Sequence, residues 1–256
     1  MAEHSDDERL DFDSVDDPRV NPDHVRVVPE TDTDGQVALL GVVHDHPASV
    51  HRVQYVIERF VPDVVALELA PLAIPLFERY ATDDRTPPSR GGEMSAAIQA
   101  MGPDASVVGI DAPTRSFLRT VVGELRDEEA PEPIARRVAR DVYDLSRHAL
   151  QCRVAATAGP MGLVSMEQTV QHIDHDCSAT DPPAVQADDE QRFVARNRAL
   201  RQATETPLPI SVLDTAREKT MARHLSSLRT DHGAVVAVVG LEHLDAVAAR
   251  LRAGDC

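Results

Sequence analysis

Residues Val37–Leu69 read VALLGVVHDHPASVHRVQYVIERFVPDVVALEL, and this stretch decides the fold class. Val37–Val43 is an apolar run rich in Val and Leu and too short for a helix, so it reads as a buried strand. After Pro47, the residues Val50, Val53, Ile57 and Phe60 recur on one helical face, with Ser49 available as the N-cap. Pro62 ends that helix, and Val64–Leu69 (VVALEL) reads as a second buried strand. The short connections make a βαβ unit and favour a parallel pair.

Outward from this unit the alternation continues. Val25–Val28 is β-rich and Asp32–Gly35 (DTDG) is a turn. Met94–Met101 is a short helix and Ser106–Ile110 a third strand, followed by helices over Arg115–Arg126 and Ile134–Val154. Asp174–Glu190, rich in Asp, Pro and Ala, reads as a loop or excursion. Helices are expected over Arg192–Thr204 and Asp214–Leu228, the second capped by Asp214. Ala234–Val239 (AVVAVV) is a fourth strand and Leu244–Leu251 a last helix. Apolar strands alternating with helices predict an α/β fold: a mostly parallel central sheet covered by helices on both faces, with a helical excursion. Residues 1–24, with nine acidic and two basic residues, are expected to form a disordered acidic tail, leaving 25–256 as a single domain.

The chain has 256 residues, 42% hydrophobic and 27% charged, enough for one sizeable core or two small domains. A formal charge of −17, from 43 acidic against 26 basic residues, argues against a nucleic-acid partner bound by phosphate neutralisation. The longest apolar run, Ala234–Leu241, is far short of a membrane span, and the acidic first residues lack a signal-peptide core, so a cytoplasmic protein is expected. Lys219 is the only lysine, and Asp outnumbers Glu 27 to 16. Hydrated carboxylates in such excess suit a salt-adapted, halophilic protein, in whose solvent self-repulsion is screened. Cys152, Cys177 and Cys256 are scattered and odd in number, implying neither a disulfide framework nor a Cys-based zinc site. No phosphate-cradling glycine loop is visible.

Polar residues sit where strands end. His44 closes Gly41-Val42-Val43-His44, Glu68 lies near the end of VVALEL, Asp111 follows SVVGI, and His243 closes Gly240-Leu241-Glu242-His243. If the strands are parallel, all four meet at the carboxyl edge of the sheet, where open α/β sheets bind ligands. Two imidazoles with carboxylates suit zinc, manganese, cobalt or iron, and such an ion could activate a water. Glu68 inside an apolar strand needs a cation, a metal or a proton donor. Asp45 and His46 are further ligand or base candidates, although adjacent residues at a strand end usually point apart. The run His172-Ile173-Asp174-His175-Asp176-Cys177 also looks like a metal box, but it lies where acidic loops are expected.

These residues resemble the TraB/PrgY proteins, related to the GumN and TIKI proteins. The likeness begins with LLGVVHDHPASVHRVQYVIERFVPDVVALEL and continues through GGEMSAAIQA, SVVGIDAPTRSFLRT and LDTAREKTMARHL to VVAVVGLEHLDAV, over roughly residues 36–250. The resemblance implies an EreA/ChaN-like α/β fold. From the TIKI branch it implies a metal-dependent peptidase activity, with a divalent ion (Mn, Co or Zn) held by His44, Glu68 and His243. Arg217 and Glu218 match the charged pair of the family's late helix. From the residues alone, Arg217 could anchor a substrate carboxylate or orient Glu68 through a bidentate pair. Two positions depart from the pattern: Glu68-Leu69-Ala70-Pro71 lacks an acidic and a basic residue, and Ile110-Asp111-Ala112-Pro113 lacks an arginine.

The expectation is therefore a metal-dependent hydrolase of the TraB/PrgY/TIKI type acting on a peptide or related amide, with Glu68, Arg217, Glu218 and Asp111 as catalytic candidates. The alternative is a non-catalytic binding or regulatory protein that captures a peptide or small-molecule signal in the same crevice. A third reading is an esterase-like activity with His44 as a metal-free general base.

Overall fold

The computed structural model describes residues 15–158, 173–203 and 207–254. The chain begins with a short 3-10 turn, Pro22–His24, and strands β1 (Val25–Val28) and β2 (Gln36–Val42). Helix α1 (Pro47–Phe60) leads to β3 (Val64–Leu67), then to α2 (Ile74–Ala81), α3 (Gly92–Ala100) and β4 (Ser106–Gly109). Helices α4 (Arg115–Asp127), α5 (Glu132–Ala158), α6 (Pro183–Ala203) and α7 (Leu208–Asp231) follow, and β5 (Ala234–Gly240) and α8 (Leu241–Ala253) complete the order.

The strands form one five-stranded sheet in the order β1-β2-β5-β3-β4. β1 runs antiparallel to β2, while β2, β5, β3 and β4 are mutually parallel. The sheet is thus α/β and mostly parallel, as the alternating pattern implies. One detail differs: β2 and β3 are parallel but not neighbours, because β5 lies between them. That last strand is buried along six of its seven residues, and only the centre of a covered sheet hides both faces of such a run.

Alternate residues feed opposite faces. Ala38, Leu40, Val42, Val65, Leu67, Val236 and Val238 pack under α1, α2, α3 and α5. Val37, Leu39, Val64, Ala66, Val235, Ala237 and Val239 pack under α7 and α8. A third cluster joins α4, α5 and α7 through Phe117, Val121, Val138, Val212 and Ala216. Truncating Leu39, which is fully buried, to Ala should cost about 2–5 kcal/mol.

Several local expectations are corrected. α1 is capped by His46, whose Nδ1 accepts from the Ala48 amide at 3.1 Å. Ser49 instead accepts from the Val43 amide at 2.9 Å and donates to Glu190. Asp214 lies inside α7 rather than capping it. The Asp174–Glu190 excursion is helical from Pro183 onward, its start marked by a proline at the first turn. Within the expected tail of residues 1–24, Val20 and His24 are buried and His24 meets Glu190 at 3.4 Å. Residues 1–14 of that expected tail, and His172 of the candidate metal box, lie outside the described residues.

Candidate functional site

Because β2, β3, β4 and β5 are parallel, their carboxyl ends share one rim. His44 stands two residues beyond β2, Glu68 directly after β3, Asp111 two residues beyond β4, and His243 in the first turn of α8 after β5. Glycine lets this rim close tightly. A Cβ on Gly41 would lie 2.6 Å from the Leu241 side chain and 2.8 Å from Leu244, so a side chain there would push both leucines of α8 aside.

Arg217, reaching down from α7, gathers three of the four rim residues. Its Nε donates to Asp111 at 3.0 and 3.2 Å, and its Nη2 donates to Asp111 at 2.7 Å and to Glu68 Oε1. Its Nη1 donates to His243 Nε2 at 3.2 Å. The other Glu68 oxygen accepts from the Gly240 amide at 2.5 Å, so both are committed. His243 Nδ1 in turn meets Glu218 at 3.3 Å, and Arg250 approaches Glu218 at 3.5 Å. Burial opposes charge on Arg217, but Asp111 and Glu68 outweigh it and hold the guanidinium even more firmly protonated than usual. For His243, burial also opposes the imidazolium, while the Glu218 hydrogen bond and the Glu68 charge prevail and raise its pKa.

The fourth rim residue has its own partner. His44 Nδ1 lies 2.6 Å from Glu93 Oε1, and the second Glu93 oxygen accepts from the Asp45 amide at 2.9 Å. Glu93 is buried at the start of α3, whereas the His44 side chain is 42% exposed. The Glu93 hydrogen bond, against the opposing effect of burial and with help from the charges of Glu93, Glu68 and Glu242, pushes the His44 pKa up to about 9. With Nδ1 held, Nε2 is the nitrogen left for a proton or a ligand. Carboxylate–imidazole pairs of this kind fix the ring's tautomer and raise its basicity.

A divalent ion on His44, Glu68 and His243 does not fit this rim. Glu68 and His243 are brought together, 3.8 Å apart, but a guanidinium already lies against both and supplies the positive charge that Glu68 needs. Among the described residues, the group of three possible ligands lying mutually within 4.8 Å is a different one: His46, Cys177 and Asp189. That group could hold a metal ion. His44 and His46, which extended backbone would put on one face, meet different partners because Asp45 between them stands in a left-handed turn at φ 60°. The bend sends His46 into the interior, fully buried against Asp189 on α6.

Glu93 and Asp189 were not singled out by the sequence reading. Glu93 carried one usable signal, an acidic residue opening an otherwise apolar short helix. Asp189 carried none, since it is one carboxylate in an acidic stretch and only its burial marks it. No protein-family model, curated protein or solved structure matches the chain. No helix among the described residues is long and apolar enough to cross a membrane.

Proposed function

We propose that the chain is a hydrolase of peptide or related amide bonds, akin to the TraB/PrgY/TIKI proteins, whose reacting centre lies at the sheet rim beside His44. One observation carries the reading: a half-exposed imidazole whose Nδ1 is held at 2.6 Å by a buried glutamate, next to the partly buried Arg217 and the buried Glu68, Asp111 and His243 that it binds. In this reading His44, neutral only as pH approaches its pKa of about 9, takes a proton from a water through Nε2, and the water attacks the carbonyl carbon. Glu93 keeps the proton on Nδ1 and stabilises the imidazolium that forms. The imidazolium then gives its proton to the departing nitrogen. Arg217 acts as a positioning residue, holding Glu68 and His243 at the rim, while Glu218 fixes the outer nitrogen of His243. The positive charge at the rim comes from Arg217.

The test is cleavage of a peptide library in concentrated salt, by the wild-type chain, His44→Ala and Glu93→Gln. Turnover lost in His44→Ala and reduced in Glu93→Gln, with folding unchanged by circular dichroism, supports the reading. Turnover indifferent to His44 contradicts it. A second reading, capture of a peptide or small molecule without turnover, is favoured by one observation: Arg217, Glu68, Asp111 and His243 satisfy one another within the chain. A cleft of about 430 Å³ bordered by Asp45, His51, Arg90 and His175 offers the space. Saturable binding with no product in the same screen selects this second reading.

A further inference from the structure

His46, Cys177 and Asp189 converge from three separate parts of the chain: the β2–α1 corner, the segment before α6, and α6 itself. His46 Nε2 lies 3.3 Å from Asp189 Oδ2 and 3.6 Å from Cys177 Sγ. A tetrahedral zinc ion with ligand bonds of about 2.0–2.3 Å sets its ligand atoms about 3.3–3.8 Å apart. These two distances therefore match edges of such a coordination tetrahedron. We propose that this corner is a metal site of zinc type, with Cys177, His46 and Asp189 as ligands and the fourth position open to the cleft that Cys177 borders. Thiolate, imidazole and carboxylate together favour Zn²⁺ or Co²⁺ over Mg²⁺, Ca²⁺ or Mn²⁺.

The protonation chemistry follows from the hydrogen bonds. His46 Nδ1 accepts from the Ala48 amide, so Nε2 carries the ring proton in the metal-free chain and points at the two other ligands. When an ion binds, the Cys177 S–H and the His46 Nε2–H bonds break and metal–sulfur and metal–nitrogen bonds form. Both protons pass to solvent and one returns to Nδ1, which releases the Ala48 amide, so the net yield is one proton per ion. Burial, with Asp189 beside it, pushes the Cys177 thiol up to about 11, so the ion must displace the thiol proton.

The bound ion fastens the segment before α6 to the end of β2. That segment reaches the rim, because His175 Nε2 donates to the His44 carbonyl at 2.8 Å and the Ile173 amide donates to Asp45 at 3.0 Å. The site thus steadies one wall beside His44, and the metal-site proposal stands whether or not the rim is catalytic.

Metal-free protein titrated with Co²⁺ in concentrated salt is the direct test. A near-ultraviolet thiolate-to-cobalt band saturating at one equivalent, with one proton released, is expected. The band should vanish in Cys177→Ser and persist in Cys152→Ser and His44→Ala. Absence of the band in the wild-type chain, or its survival in Cys177→Ser, overturns the site. Should Cys177→Ser fail to fold, the wild-type chain answers by itself: Zn²⁺ protects Cys177 from iodoacetamide if the site exists, and leaves it unprotected if it does not.

Discussion

Two histidines separated by a single residue meet carboxylates in opposite ways. His44 is half exposed on the rim, and Glu93 lifts its pKa to about 9. His46 is fully buried, and although Asp189 and Glu190 pull its pKa upward, burial dominates and lowers it. The same contrast runs through their surroundings. The rim is built round a partly buried guanidinium that neutralises the buried Glu68 and Asp111. The His46 corner gathers imidazole, thiol and carboxylate, and the cation that meets Asp189 there is Arg192, 71% exposed and outside the cluster. Where a side chain already supplies the positive charge, donor groups are satisfied; where donors gather without one, an ion has a place to go.

The contrast breaks most visibly at the two arginines. Arg217→Met leaves Glu68 and Asp111 buried without their cation, and urea unfolding in concentrated salt should report a loss of about 3–5 kcal/mol. Arg192→Ala removes an exposed pair and should cost no more than about 1 kcal/mol in the same measurement. Gly41→Ala forces a methyl group into Leu241 and Leu244 at the joint between β2 and α8, with an expected cost of about 1–3 kcal/mol. A smaller effect sharpens the electrostatic side. By NMR, His44 should titrate near 9 and move back toward its ordinary value of 6.5 in Glu93→Gln. Because the folded-state pKa is the raised one, the His44–Glu93 contribution to stability is complete below about 6.5 and is lost as pH rises through about 9. Alkaline unfolding in which Glu93→Gln and the wild-type chain behave alike would remove that interaction from the account.

The fold was legible because strands buried on both faces are spelled as continuous apolar runs, and VALLGVV, VVAL and AVVAVV are such runs. The convergence of His44, Glu68, Asp111 and His243 followed from parallel strand direction alone. Strand order did not, because nothing local in the sequence says that the last strand inserts between the second and third. α2 was missed because IPLFERYA is only two turns long and opens on a proline-bearing segment. Arg217 was expected to anchor a substrate carboxylate or to pair bidentately with Glu68; it gives Glu68 a single hydrogen bond and makes its two-nitrogen contact with Asp111, which depends on where α7 crosses the rim. Asp189 was hidden for a different reason. In a chain with 43 acidic residues, a carboxylate that matters looks like one that merely solvates, and only burial separates them.

A crystal of the chain soaked in Zn²⁺, with data collected on both sides of the zinc absorption edge, tests the division between the two regions most directly. The anomalous peak is expected among Cys177 Sγ, His46 Nε2 and Asp189 Oδ2, with Arg217 still bridging Glu68, Asp111 and His243. A peak among His44, Glu68 and His243, with Arg217 swung away, would contradict it.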